Sequence, residues 1–373
     1  MEEQSVDAEA AAKPAVAPGA TAKRIVVACG GTGGHAFPGL ATAEALRERG
    51  HEVTVWNSGR TIEKTVMTGW SGPTFATGAK TLSAVNFFAN VRSVFRCVRA
   101  FRAAKADVLL AMGSYTSMPP VVAARILRIP VVLHEANAVP GKAVSFLSGF
   151  ARKVAVSFEQ TLPEVPRRKG VFTGLPLRRR MAEGRRFPEI PEGAFCVFTT
   201  GGSQGAHKVN ELASDALVRL NRLIAPRPLF VIHQTGAADE ESVIGKYYGA
   251  KMKFRVRAFE YDMADAYASA DVVVCRAGAS TCFELARAGK PAFFIPLPTA
   301  VRDHQHLNAQ AFVEKGAAAE GYQDALAPNA LANWLLALSQ DPDRARKMGE
   351  EMARLAVPDA ADRLADLVEE CAK

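Results

Sequence analysis

No apolar run in the 373-residue sequence is long enough to cross a bilayer, so no helical membrane span is expected. The six cysteines (Cys29, Cys97, Cys196, Cys275, Cys282 and Cys371) form no CxxC pair and no spacing that suggests a disulfide framework or a zinc site, which fits thiols in a reducing cytoplasm. The opening stretch MEEQSVDAEAAAKPAVAPGATAK lacks the basic and apolar segments of a secretory leader. Acidic at first and then rich in Ala and Pro, residues 1–22 read as a disordered tail. Aromatic residues make up 8% of the chain, and the basic residues are not interleaved with them as in single-strand binders, which argues against nucleic acid as a partner. Two nucleotide signatures are missing as well. No Gly-Lys-Ser/Thr marks a P-loop, and the GxGxxG spacing of a dinucleotide site is absent. Nor does an acid close HEVTVWN at 51–57, where an NAD enzyme holds its ribose.

What is present is a globular composition, 49% hydrophobic and 23% charged, with a formal charge of +8 that favours an anionic partner. The length favours two domains, each with a full core. From residue 23 onward short β-branched runs alternate with helical patterns, the mark of parallel α/β architecture. RIVVACG (24–30), HEVTVWN (51–57), ADVLLAMG (106–113), IPVVLHE (129–135) and KVAVSF (153–158) form one series. AFCVFTTGG (194–202), PLFVIHQTG (228–236), KFRVRAF (253–259), DVVVCRAG (271–278) and PAFFIPLP (291–298) form a second. Between them GLPLRRRMAEGRRFPEIPEG, rich in Pro, Gly and Arg, reads as an interdomain connection, with the boundary near residue 176. The expected units are 23–175, 176–356 and a last helix within 357–373 that packs back on one of the domains, the first being the candidate.

Each series opens with a glycine-rich strand-to-helix turn, VVACGGTGGHAFPG at 26–39 and VFTTGGSQGAHKVN at 197–210. Such a turn lets backbone amides approach a ligand, and the following helix offers unpaired N–H groups and a positive dipole end, which suits an anion such as phosphate. Tight packing of strand on helix is the structural alternative for either turn alone. CRAGASTCFE (275–284) is a further strand end and helix start. Ser280 and Thr281 are candidate N-caps, and Glu284 lies one turn in, where its carboxylate suits a pair of ribose hydroxyls or closes a capping box. His134, Glu135 and Asn137 in one half, and Asp303, His304, Gln305 and Asn308 in the other, fall at strand ends, the ligand-facing edge of an open parallel sheet.

In order, GGTGGHAFPGL, LHEAN, TGLPLR, GGSQGA, VVVCRAGAST with FE, and DHQHLNA resemble the motifs of the MurG family of N-acetylglucosaminyltransferases. The resemblance covers roughly residues 23–365. It implies the two-domain GT-B glycosyltransferase fold, UDP-GlcNAc held mainly by the second domain, and an undecaprenyl-diphosphate-linked MurNAc-pentapeptide approaching the first. By motif, Thr32, Gly33 and Gly34 of the first glycine loop and Asn137 stand near the transferred sugar. Arg178 and Ser203 match nucleotide and phosphate contacts. Ala279, Ser280, Thr281, Cys282, Phe283 and Glu284 match the helix start whose glutamate binds ribose, and Gln305 matches a residue that reads sugar hydroxyls. Three positions depart from the family's usual residue: Ala136 for Gln, Leu175 for Asn and Ser114 for Gly.

The resemblance further implies an inverting single displacement by the C4 hydroxyl of MurNAc. For the leaving diphosphate, the amides of Gly202, Ser203, Gln204 and Gly205, the Ser203 hydroxyl and the following helix suffice. The lone Asp-x-Asp, DPD at 341–343, lies between helical patterns, so no obligatory metal or other cofactor is expected. His35, an imidazole titrating near neutrality on the acceptor side, is the candidate base, with Glu135 as substitute. In NFFANVRSVFRCVRAFRAAK (86–105), Phe87, Val91, Val94, Val98 and Phe101 line one helical face with Arg92, Arg96 and Arg99 opposite, a candidate contact with an anionic membrane surface. A peripheral place on the cytoplasmic face of the bacterial inner membrane follows from the resemblance.

Overall fold

The computed structural model describes residues 22–373 apart from 32, 61, 62, 64–66, 68 and 82. Thr32 and residues 1–21 of the expected tail therefore lie outside the described residues.

β-Branched runs buried on both faces give two parallel sheets. The first is ordered β3-β2-β1-β4-β5-β6-β7 and the second β10-β9-β8-β11-β12-β13. In the first domain β1 (Arg24–Ala28), α1 (Gly33–Glu48), β2 (Glu52–Asn57), β3 (Thr74–Ala76), α2 (Phe87–Ala104), β4 (Val108–Ala111), α3 (Met118–Ile126), β5 (Val131–Glu135), α4 (Lys142–Leu147), β6 (Lys153–Val156) and β7 (Gly170–Phe172) follow in order. The second domain holds β8 (Phe195–Thr200), α5 (His207–Leu223), β9 (Leu229–Gln234), α6 (Glu240–Gly249), β10 (Lys253–Arg257), α7 (Met263–Ser269) and β11 (Val272–Cys275). It continues with α8 (Ala279–Ala288), β12 (Ala292–Phe294), α9 (His304–Val313), β13 (Ala318–Glu320), α10 (Pro328–Gln340) and α11 (Pro342–Arg354), and the chain ends on α12 (Ala360–Cys371). All ten strand-like runs of the sequence are strands. The three it did not announce, β3, β7 and β13, are three-residue strands at sheet edges. All six cysteines are free and buried.

The connection at 174–193 is exposed along much of its length but anchored at intervals. Leu175, Met181, Phe187 and Ile190 are buried in the second domain's core beside Phe198, Tyr267 and Phe283. Helix α12 crosses back to the first domain, where Leu364, Ala365, Leu367, Val368 and Cys371 pack among Ile25, Val27, Val108 and Val132. Each such Leu, Ile or Val contributes about 1.5–3 kcal/mol by leaving water. Arg49 fastens the exposed side of α12 through Asp362 (2.9 Å) and Glu369 (3.2 Å).

The domains meet through a shared apolar cluster. Phe158 of the first lies 4.9 Å from Phe283 and 6.2 Å from Phe312 of the second, in edge-to-face geometry. Ala136 and Leu175, two of the positions that depart from the family pattern, are buried in this cluster.

The stripe expected on α2 divides. Phe101 is buried, and Val94 and Val98 pack on the first domain's core, so the C-terminal half of the stripe is structural. Phe87 and Val91 stay exposed, joined by Val85, Phe88 and Phe95, which are 92%, 81% and 67% exposed. Arg92, Arg96 and Arg99 are exposed.

Candidate active site

Segments that follow strands of the two domains meet, as where Asn137 and Ala138 after β5 bond Asn308 of α9. Beneath the first glycine turn lies the buried carboxylate of Glu63. It accepts the Gly31 amide (2.6 Å), the Ser58 amide and hydroxyl (3.0 and 2.7 Å), and the amides of Gly59 and Arg60 (2.9 and 3.1 Å). From the other side the Ser114 hydroxyl donates to the Gly30 carbonyl (2.9 Å), so the third departure from the family pattern is a brace of this turn. Gly31, at φ +108°, passes so close to Ser114 that a Cβ would stand 2.9 Å from its Oγ. Gly33 and Gly34 open α1, and His35 follows as its third residue, half-buried. Burial first, and nearby His304 of the other domain second, push the His35 imidazole down to about 4, so, against the expectation from the sequence, it does not titrate near neutrality and is neutral at physiological pH.

At the end of β5, Glu135 is buried and bonds its own loop. One oxygen accepts the Asn137 amide (2.9 Å) and its Nδ2 (3.1 Å), and the other accepts the Gly141 amide (2.8 Å). Burial raises its pKa against these bonds. Glu135 therefore shapes the loop 136–141 through three hydrogen bonds. His134 is fully buried, its imidazole lowered to about 4 by desolvation.

Across the cleft, the second turn rests on buried Thr200 and Gln234. The Thr200 hydroxyl accepts the Gly202 amide (3.1 Å) and donates to Gln234 Oε1 (3.1 Å), and Gln234 Nε2 donates to the Gly202 carbonyl (3.2 Å). Gly205, at φ +74°, lies against β9's exit so closely that a Cβ would fall 1.9 Å from the Thr235 carbonyl oxygen. Ser203 and Gln204 are exposed at the tip, and α5 starts at His207 without a side-chain cap. Its first N–H groups thus remain for a ligand.

Helix α8 is capped by Gly278, not by Ser280 or Thr281, which lie inside its first turn. The Ser280 hydroxyl is buried without a partner. No capping box forms, since Glu284 Oε2 accepts the buried Tyr267 hydroxyl at 2.9 Å and leaves Oε1 for a ligand. Burial raises the Glu284 pKa, against the pull of Tyr267 and Arg178. Ala279, Cys282 and Phe283 are buried and fix the helix in the core. Arg178 stacks 4.4 Å over the ring of Phe37 on α1, placing its charge between the domains. Gln305, on the first turn of α9, accepts the Leu297 amide (3.0 Å), which leaves its Nε2 donors for a ligand. Arg302 and Asp303 just before it both hold positive φ, 55° and 53°, a strained pair at the mouth of the site.

Sequence reasoning missed Glu63 and Tyr267. Both act through other residues from inside the core, and an acid within a helical pattern or a tyrosine before a strand carries no local signal of that role.

Two parallel-sheet domains that meet at a cleft, with a histidine turn on one wall and an anion turn with a carboxylate-bearing helix on the other, define a glycosyltransferase of the GT-B class. Residues 25–156 match the glycosyltransferase family 28 N-terminal domain and residues 196–364 its C-terminal domain. The UDP-N-acetylglucosamine–N-acetylmuramyl-(pentapeptide) pyrophosphoryl-undecaprenol N-acetylglucosamine transferase of Geobacter metallireducens is 37% identical over 360 residues, 92% of this chain and 97% of its own. The crystal structure of Acinetobacter baumannii MurG superposes with a TM-score of 0.76 at 32% identity, covering 93% of this chain and 99% of that one. The chain belongs to the MurG family. A UDP-GlcNAc 2-epimerase from Neisseria meningitidis shares the fold, with a TM-score of 0.68 over 93% of this chain and all of its own, at 11% identity.

Proposed function

We propose that the protein transfers GlcNAc from UDP-GlcNAc to the C4 hydroxyl of MurNAc in undecaprenyl-diphosphate-linked MurNAc-pentapeptide, with inversion. The observation that carries the chemistry is that His35 of α1 lies near His304 of the second domain, while Arg178 stacks on Phe37 of the same α1 and the second domain supplies the uncapped α5 start and Glu284. The acceptor oxygen attacks the anomeric carbon as the bond to the diphosphate breaks. UDP leaves with the electron pair, and the hydroxyl proton passes to neutral His35. Charge developing on the diphosphate meets the Ser203 and Gln204 amides, the α5 dipole and the Arg178 guanidinium. Glu284, held by Tyr267, takes the ribose hydroxyls, and Gln305 and Asn137 border the transferred sugar. With these donors in place the step is proposed to need no metal.

The acceptor's polyprenyl chain stays in the bilayer, so the enzyme docks on it. No described helix is long and apolar enough to cross a membrane. Exposed Val85, Phe87, Phe88, Val91 and Phe95, flanked by Arg92, Arg96 and Arg99, form the docking surface for anionic lipid at the cytoplasmic face.

Labelled UDP-GlcNAc, a short-chain acceptor analogue and EDTA test the reaction. Labelled disaccharide-lipid product is expected, and UDP-GlcNAc binding without product would refute this acceptor. Docking is tested by sedimentation with phosphatidylglycerol vesicles, which Phe88→Asp with Phe95→Asp should reduce at least tenfold. Unchanged sedimentation would remove this surface from the account.

A further inference from the structure

Resting on the transfer reaction proposed above, we infer that Asn308 is a positioning residue through which the donor-side helix α9 sets the acceptor-side loop 136–141. Asn308 lies one helical turn after Gln305, fully buried. Its Oδ1 accepts the Ala138 amide (2.8 Å), and its Nδ2 donates to the Ala277 carbonyl (3.0 Å) and to Asn137 Oδ1 (3.2 Å). One side-chain amide thus joins three segments. Ala277 leads into α8, which carries Glu284. Asn137 and Ala138 belong to the other domain, in the loop that closes on Glu135.

Asn137 passes the constraint on, since its Nδ2 donates to Glu135 Oε1 (3.1 Å). The loop's carbonyls are held from within its own domain, where the Thr161 hydroxyl contacts those of Asn137 (3.1 Å) and Ala138 (3.0 Å). Its Ala138 amide and the Asn137 side-chain oxygen, by contrast, are held by the donor domain. Phe158, Phe283 and Phe312 pack at the same domain junction. Hydrogen bonds in such dry surroundings are strong and costly to leave unmade. A donor engaging Gln305 orders α9, and Asn308 transmits that order to the loop facing the acceptor. A purely structural Asn308 would hold the domains together without responding to the donor.

The test is amide hydrogen exchange of residues 136–141 in the full chain, with and without UDP-GlcNAc. It is run for wild type and Asn308→Asp, which keeps the acceptor for Ala138 and loses both donated bonds. UDP-GlcNAc is expected to slow exchange at least fivefold in wild type and less than twofold in the variant, with the donor Kd within threefold. No donor-induced protection in wild type, or equal protection in the variant, would overturn the inference. Should Asn308→Asp fail to fold, the neutral Asn308→Ser carries the same comparison. In turnover, Asn308→Asp should lower kcat about 30-fold and add nothing to Asn137→Ala, whereas additive losses would contradict coupling through Asn137. Donor-dependent protection in a protein that does not glycosylate the lipid acceptor would refute the transfer reading and leave the coupling intact.

Discussion

The two glycine-rich turns share a plan and divide the labour. Under the first, Glu63 takes up the Gly31 amide together with the 58–60 backbone, so that amide is spent internally, and the helix that follows carries His35. Under the second, among the described residues, no carboxylate takes a turn amide, and the nearby Asp239 bonds His207 and Asn210 of α5 instead. Thr200 and Gln234 prop the turn through neutral bonds, and the exposed tip and uncapped helix start remain for an anion. A glycine turn before a helix is thus not a phosphate site by shape alone; in the proposed reaction the turn whose Gly31 amide a buried carboxylate claims holds the base, and the other receives the leaving group.

Substitutions in the two turns should separate those roles. Gly205→Ala forces a methyl into the Thr235 carbonyl, and donor affinity is expected to fall at least 30-fold by calorimetry. Unchanged affinity would mean that this turn does not shape the diphosphate site. Glu63→Gln removes the charge under the first turn and should lower kcat about tenfold with the donor Kd unchanged; a loss of donor affinity instead would merge the two roles. Tyr267→Phe strips one bond from Glu284 and is expected to weaken UDP-GlcNAc binding about fivefold. Equal affinity for UDP-GlcNAc would show Glu284 positioned without it.

The smallest effect concerns pH. His35 acts as a base only when neutral, and its imidazole is held at about 4. Activity should therefore be fully present above that value and lost as pH falls through it. The kcat/KM profile is expected to change less than twofold between pH 8 and 6, where an ordinary imidazole titrating near 6.5 would lose about fourfold. A limb centred near 6.5 would place His35 in a wetter, more open site.

Much of this was legible in the sequence because it is local. Long β-branched runs announced ten strands, and turn motifs marked both walls of the cleft. The remainder depends on distance along the chain. Three-residue edge strands have no periodicity to read. The α2 stripe looked uniform because a helical wheel does not know where the core ends: Val94, Val98 and Phe101 meet it, while Phe87 and Val91 pass beyond it. Ser280 and Thr281 have cap chemistry, but Gly278 starts α8 two residues earlier. That the amides of Asn137 and Gly141 bond Glu135 depends on how the loop after β5 folds back, which no local pattern announces.

The most direct measurement is kcat and donor Kd for His35→Ala beside wild type, in EDTA, with UDP-GlcNAc and the short-chain lipid acceptor. The account predicts at least a hundredfold loss of kcat with donor Kd within threefold. Turnover within tenfold of wild type, or donor affinity lost along with it, would contradict the assignment of chemistry to the first turn and binding to the second.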